Sequence, residues 1–165
     1  MKRTLGNSGI EVSAAGMGCW AIGGPWNFAG SPAGWSVVDD AESIRAIHAA
    51  LDLGANFFDT AANYGTGHSE RILGQALKGR REQVVIATKF GHQVDEKNKE
   101  VTFYGASEED SDVAGHLRAD LERSLRNLDT DYIDLYQLHS FDSSVTHDET
   151  LGALDQLVRD GKVLY

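Results

Sequence analysis

The chain has 165 residues, 41% of them apolar and 24% charged, with a formal net charge of −10. That composition is globular rather than disordered, and the length suits one compact domain. The acidic balance excludes nucleic acid and anionic membrane surfaces as partners in the absence of a local basic patch; Lys78-Gly79-Arg80-Arg81 sits where a helix should end, and cations there favour the helix dipole.

Cys19 is the single cysteine, so no internal disulfide forms, which fits a reducing compartment; within the apolar run AAGMGCW it reads as a buried structural thiol. The opening MKRTLGNSGIEVS has no apolar core after its basic residues and does not read as a signal peptide. No apolar run is long enough to span a bilayer. The expected location is the cytoplasm.

In chain order, Arg3 to Ser13 reads as a small hairpin turning at Asn7-Ser8-Gly9. Ala14 to Trp20 is a candidate strand. Asp40 to Leu53 is a helix with Ile44, Ile47 and Leu51 on one face and Gly54 as its stop. Asn56 to Thr60 is the next strand, and Ser69 to Lys78 the next helix. Val84 to Phe90 is a strand rich in β-branched residues. Asp112 to Leu128 is a helix striped by Leu117, Leu121, Leu125 and Leu128. Tyr132 to His139 is a strand, and His147 to Arg159 a helix using Leu151, Leu154, Leu157 and Val158. A fifth strand begins at Lys162.

Short apolar strands alternating with helices imply a parallel sheet covered by helices. Two connections are long, Ala21 to Asp39 and Gly91 to Ser111, and both follow the C-terminal end of a strand, where parallel α/β folds bind ligands. Gly16-Met17-Gly18-Cys19-Trp20-Ala21 matches the dinucleotide fingerprint by letter, but Ile22-Gly23-Gly24-Pro25 follows and breaks the helix that would hold a pyrophosphate. The fingerprint is therefore rejected.

Polar residues recur at the strand ends. In NFFDTAANYGTGHSERILG (56–74), Asp59 closes a strand and Tyr64 lies just beyond. Lys89 ends the next strand and His139 the one after. Side chains alternate along a strand, so Lys89 shares a face with Val85 and Ala87, His139 with Leu135 and Gln137, and Asp59 with Phe57. If these faces and Ile133 point inward, the four groups converge. Tyrosine ordinarily ionises near pH 10, too high for an efficient acid, and an adjacent ammonium favours its phenolate. Lys89 supplies that ammonium and Asp59 the carboxylate an internal lysine needs. His139 can polarise a carbonyl oxygen. Taken singly, each is equally well a turn, loop or rim residue; the set reads as a proton donor to a developing alkoxide. The other histidines, His48, His68, His92, His116 and His147, read as surface, cap or loop residues. No pair has metal-ligand spacing, so no metal is expected.

Five segments, RTLGNSGIEVSAAGMGCWAIGG, NFFDTAANYG, HSERILGQAL, VVIATKFG and LRADLERSLRNLDTDYIDLYQLH, closely resemble the aldo-keto reductase family. The resemblance implies an α/β fold of the (β/α)8 TIM-barrel type with an N-terminal hairpin closing its bottom. Residues 1–165 would form one partial domain, the first half of the barrel. The family tetrad falls on Asp59, Tyr64, Lys89 and His139: Tyr64 as general acid, Lys89 and Asp59 tuning it, His139 orienting the carbonyl. Hydride would come from a nicotinamide, usually NADPH with NADH also open, and Asp59 would contact its ribose. Most of the family's cofactor-holding residues lie later than this sequence. Two readings follow: part of a carbonyl reductase inactive by itself, or a non-catalytic half-barrel that associates through open edges. The substrate would be a small aldehyde, ketone or sugar. Trp26 and Trp35 would wall its pocket or equally well pack the loop down.

Overall fold

The structure is a computed structural model describing residues 1–104, 113–140 and 147–165, with backbone alone for 113, 114 and 147. It opens on a hairpin of β1 (Lys2–Thr4) and β2 (Glu11–Ser13), paired antiparallel. Ser8 closes the turn: its Oγ donates to Leu5 O at 2.6 Å and accepts from Ile10 N at 3.0 Å. Asn56 holds the hairpin against the base of the sheet, its Oδ1 accepting from Ser13 N at 2.5 Å and its Nδ2 donating to Glu11 O at 3.0 Å.

The main sheet contains β3 (Met17–Gly18), β6 (Phe57–Asp59), β7 (Val85–Phe90) and β10 (Leu135–Leu138). They are parallel and lie side by side in chain order. Beyond β10 a fifth strand begins: Ile133 bridges Val163 in parallel, and Tyr136 N donates to Tyr165 O at 2.8 Å. Sequential order without reversal is barrel progression; a doubly wound sheet reverses at a switch point. No helix follows Gly16–Ala21, only a short 3₁₀ turn over Ala21–Gly23, as the rejected fingerprint requires.

Among the described residues, four α-helices follow the strands: α1 (Asp40–Asp52), α2 (His68–Ala76), α3 (Val113–Leu128) and α4 (His147–Arg159). Each packs on the next, forming a single layer. Asp39 caps α1 by accepting from Glu42 N, and Gly54 ends it at φ +88°. Where α2 meets α3 the approach is so close that a Cβ on Gly74 would stand 2.7 Å from Leu128 O. The core between sheet and helices joins Phe58, Ile86, Phe90 and Tyr136 to Ile47, Leu73, Leu117, Leu121 and Leu157.

The structure corrects several details of the sequence reading. The start of α3 at Asp112 lies outside the described residues. Ile133 points not inward but into the helix-side core, at 0% exposure. On α4, Leu157 is buried while Leu151 and Val158 are exposed. Arg81 does not cap a helix: its guanidinium reaches Asp134 at 2.6 Å and lies 4.0 Å over the Tyr132 ring.

The largest departure is in the two long connections. The first forms a hairpin of β4 (Pro25–Phe28) and β5 (Ser31–Gly34). The second, as far as residue 104, forms a hairpin of β8 (His92–Asp95) and β9 (Glu100–Phe103). The hairpins join through parallel pairing of β4 with β9, giving a second four-stranded sheet that adjoins the C-terminal ends of the barrel strands.

Candidate active site

Asp59 is the last residue of β6, and Lys89 the fifth of β7; their side chains emerge on the face opposite the helix core. His139 follows β10 directly and is fixed by its N–H, which donates to Phe90 O at 2.8 Å. Tyr64 sits in the turn between β6 and α2. That turn is tight because two glycine backbones touch: a Cβ on Gly23 would lie 2.8 Å from Tyr64 C, and one on Gly65, at φ +61°, would run into Gly23 O. Below it, Ser69 Oγ donates to Cys19 O at 2.7 Å and lies 2.9 Å from Thr60 Oγ1.

These elements bring Asp59, Tyr64, Lys89 and His139 together. Lys89 Nζ donates to Asp59 Oδ1 at 2.7 Å, to Thr60 O at 2.8 Å and to Tyr64 Oη at 3.3 Å. The lysine side chain is 14% exposed and the aspartate 36%, so the ion pair opens toward solvent on the carboxylate side. His139 meets the Tyr64 ring edge to face, with centroids 5.7 Å apart. Burial, helped by His92 and Lys89 and opposed by Asp59, pulls His139 down to about 4, so its imidazole is neutral at physiological pH. Cys19, 0% exposed, is pushed up to about 12 by burial first and the Asp59 charge second; it stays a thiol and is no nucleophile.

The tryptophans divide differently from the sequence reading. Trp26 is buried, its ring edge on to Phe28 and its indole close under Gly34. Trp35 is exposed and packs edge on to Trp20, which in turn tilts over Tyr64 at 6.2 Å. Trp20, not Trp26, therefore neighbours the phenol.

The sequence reading counts His92 among the loop histidines, whereas it opens β8 beside the tetrad. It is 5% exposed, with its ring 5.2 Å from His139, 5.3 Å from Phe28 and 5.6 Å from Phe103. Its one signal in the sequence is its place three residues after Lys89. The turn at Gly91, φ +110°, redirects the chain there, and periodicity cannot reveal that. Among the described residues, no group of three or more His, Cys, Asp or Glu side chains could hold a metal ion, and no helix is long and apolar enough to cross a membrane.

The fold agrees with comparison to known proteins. The model of the aldo/keto reductase family matches residues 15–165, and the chain belongs to that family. It is 40% identical over 162 residues to aldo-keto reductase YhdN of Bacillus subtilis (strain 168), covering 97% of this chain and 44% of that one. A holo-form aldo-keto reductase from Bacillus halodurans superimposes with a TM-score of 0.82 at 33% identity, over 99% of this chain and 48% of that one. An aldo-keto reductase from Klebsiella pneumoniae in complex with NADPH gives 0.69 at 27% identity, over 93% of this chain and 44% of that one. The chain thus spans about half the length of the curated relatives it matches. Its parallel sheet and single helix layer are the first half of the (β/α)8 barrel.

Proposed function

We propose that this chain carries the proton-transfer half of a nicotinamide-dependent carbonyl reduction, with Tyr64 as the proton donor and NADPH as the cofactor. The observation that carries the reading is the three-way contact of the Lys89 ammonium with Asp59, Thr60 O and Tyr64 Oη. The phenol proton passes from Tyr64 Oη to the carbonyl oxygen of an aldehyde, ketone or sugar as the C=O double bond becomes a C–O single bond. The phenolate left behind faces Lys89 Nζ, and a positive charge preorganised at that point costs no rearrangement when negative charge develops. Asp59 keeps the ammonium in place and compensates its burial. Neutral His139 keeps one ring N–H to donate to the same carbonyl oxygen, which orients it beside Tyr64.

The residues present fit a nicotinamide. Asp59 gives only Oδ1 to Lys89 and stands partly open, which suits a ribose hydroxyl. Gln137, in register with Lys89, keeps a buried Oε1 with no partner among the described residues, an acceptor suited to a carboxamide N–H. When bound, the reduced nicotinamide supplies hydride to the carbonyl carbon. The NADPH complex of the Klebsiella relative supports that cofactor class. Trp20 and Trp35 would bound the substrate on the loop side.

The test is carbonyl-dependent oxidation of NADPH by the protein with a completed barrel, wild type against Tyr64→Phe. General acid catalysis is worth about 10²–10⁴-fold, and the variant should lose that much while staying folded. Reduction at near wild-type rate in the variant would remove Tyr64 from the mechanism. Absence of NADPH turnover across aldehydes, ketones and aldoses would overturn the reading as a whole.

A further inference from the structure

His92 is buried beside the tetrad, and both of its ring nitrogens are engaged. Nε2 lies 2.9 Å from Ser140 Oγ, and Nδ1 lies 3.4 Å from Asn63 Nδ2. Neither partner belongs to the tetrad, but each is chain neighbour to a member of it: Asn63 precedes Tyr64, and Ser140 follows His139. One imidazole therefore spans the two segments whose tips would face a carbonyl oxygen. We infer that His92 is a positioning residue, a clamp that holds the Tyr64 turn and the His139 strand end at a fixed separation through Asn63 and Ser140. The inference rests on the reading of Tyr64 as the proton donor.

The chemistry of the partners fits a neutral ring. With the Asn63 amide N–H₂ turned to Nδ1, that nitrogen accepts and the single ring proton sits on Nε2, which donates to the Ser140 hydroxyl; Asn63 Oδ1 is left buried without a partner among the described residues. A charged ring would aim a second N–H at that amide. Burial pulls His92 below the ordinary histidine range, which agrees with the neutral form. A buried imidazole without partners would be costly, and this one has a partner at each nitrogen. The stacking adds rigidity: Tyr64, His139 and His92 follow one another edge to face, at 5.7 and 5.2 Å. Phe28 and Phe103 then back His92 from β4 and β9, at 5.3 and 5.6 Å. The clamp is thus seated on the second sheet, while the groups it spaces belong to the barrel. A displacement of about 1 Å in a reacting group can cost about a hundredfold in rate, so a spacer of this kind should be visible in turnover.

His92→Phe keeps a ring of similar size against Phe28 and Phe103 and removes both hydrogen bonds. In the completed barrel with NADPH, kcat should fall about tenfold to a hundredfold while KM for the carbonyl changes less than about threefold. His92→Gln, whose amide can accept from Asn63 and donate to Ser140, should recover most of that loss. Wild-type kcat in the Phe variant, or equal loss in the Phe and Gln variants, would overturn the clamp. A second measurement needs no turnover: nitrogen–proton correlation spectra of the histidine rings in the wild-type protein. They should show His92 neutral, with its proton on Nε2, from about pH 6 to about pH 8. A ring that exchanges tautomers and titrates near its ordinary value would overturn the inference even if the enzyme is active. Tyr64→Phe serves as the control. If it retains activity the proton-donor reading falls, whereas a failure confined to His92 leaves that reading intact.

Discussion

The two faces of the parallel sheet contrast sharply. Toward the helices, Phe58, Ile86, Phe90 and Tyr136 meet leucines and isoleucines in a closed apolar layer. On the opposite face, at the strand ends, Asp59, Lys89 and Gln137 leave the same strands, and the partners are polar groups, rings and loop backbone. The helix side is held by area removed from water, which is non-directional and tolerant of detail. The other side is held by a few directional contacts at 2.7 to 3.3 Å. Loss of one contact should therefore change chemistry there and stability on the helix side, and each substitution below tests that division.

The largest effect expected is on activity. Lys89→Met in the completed barrel should cut carbonyl reduction by at least about a hundredfold, with the unfolding midpoint little changed. Reduction at near wild-type rate would reduce Lys89 to a structural partner of Asp59. The mirror experiment is Leu121→Ala, at a residue 1% exposed in the core. It should cost about 2–5 kcal/mol in denaturant unfolding and leave kcat near wild type at temperatures where the protein stays folded.

Glu70 is the exception that sharpens the contrast, since it is a carboxylate at 0% exposure on the helix side. Thr88 Oγ1 donates to its Oε1 at 2.7 Å and Asn127 Nδ2 to its Oε2 at 3.1 Å. Burial nevertheless raises it above the usual carboxylate range, against the pull of those donors and Arg123. A raised carboxyl favours the folded state at low pH and withdraws that stability as pH rises through its folded value. Wild type should therefore lose stability between about pH 5 and about pH 8 relative to Glu70→Gln, as read from denaturant midpoints. Equal unfolding midpoints at both pH values would show that the network fully compensates the charge.

His139 should show the opposite pH dependence. Its folded value of about 4 lies below the ordinary 6.5. The unfolded chain therefore binds the proton first, and the stability the group contributes is present above 6.5 and lost as pH falls toward 4. Wild type should lose stability more steeply over that interval than His139→Gln, as read from denaturant midpoints; parallel slopes would mean the histidine is not buried neutral.

The sequence carries the helix side well because burial imposes period. The stripe Leu117, Leu121, Leu125 and Leu128 marks α3, and the β-branched run before Lys89 marks β7. The four strand-end groups were legible because polar residues interrupt apolar strands at equivalent places. Whatever depends on contacts across long separations was not legible. β4 is PWNF and β5 is SPAG, with a proline in each and no alternation. They become strands because β4 pairs with β5 and with β9, some seventy residues on, where Asn27 N donates to Lys99 O at 2.8 Å. His92 was missed for the same reason, since its partners Asn63 and Ser140 are 29 and 48 residues away. Trp26 and Trp35 look equivalent in sequence and part only when β5 folds over one of them.

The parallel ladder between β4 and β9 has a consequence for how this protein could diversify. Asn27 N and Ala29 N donate to the backbone of Lys99 and Val101, each at 2.8 Å, so the two connections share one set of backbone bonds. An insertion or deletion within β4 or β9 would shift the register between the two connections. A designer moving this region between relatives should therefore transplant β4 and β9 together.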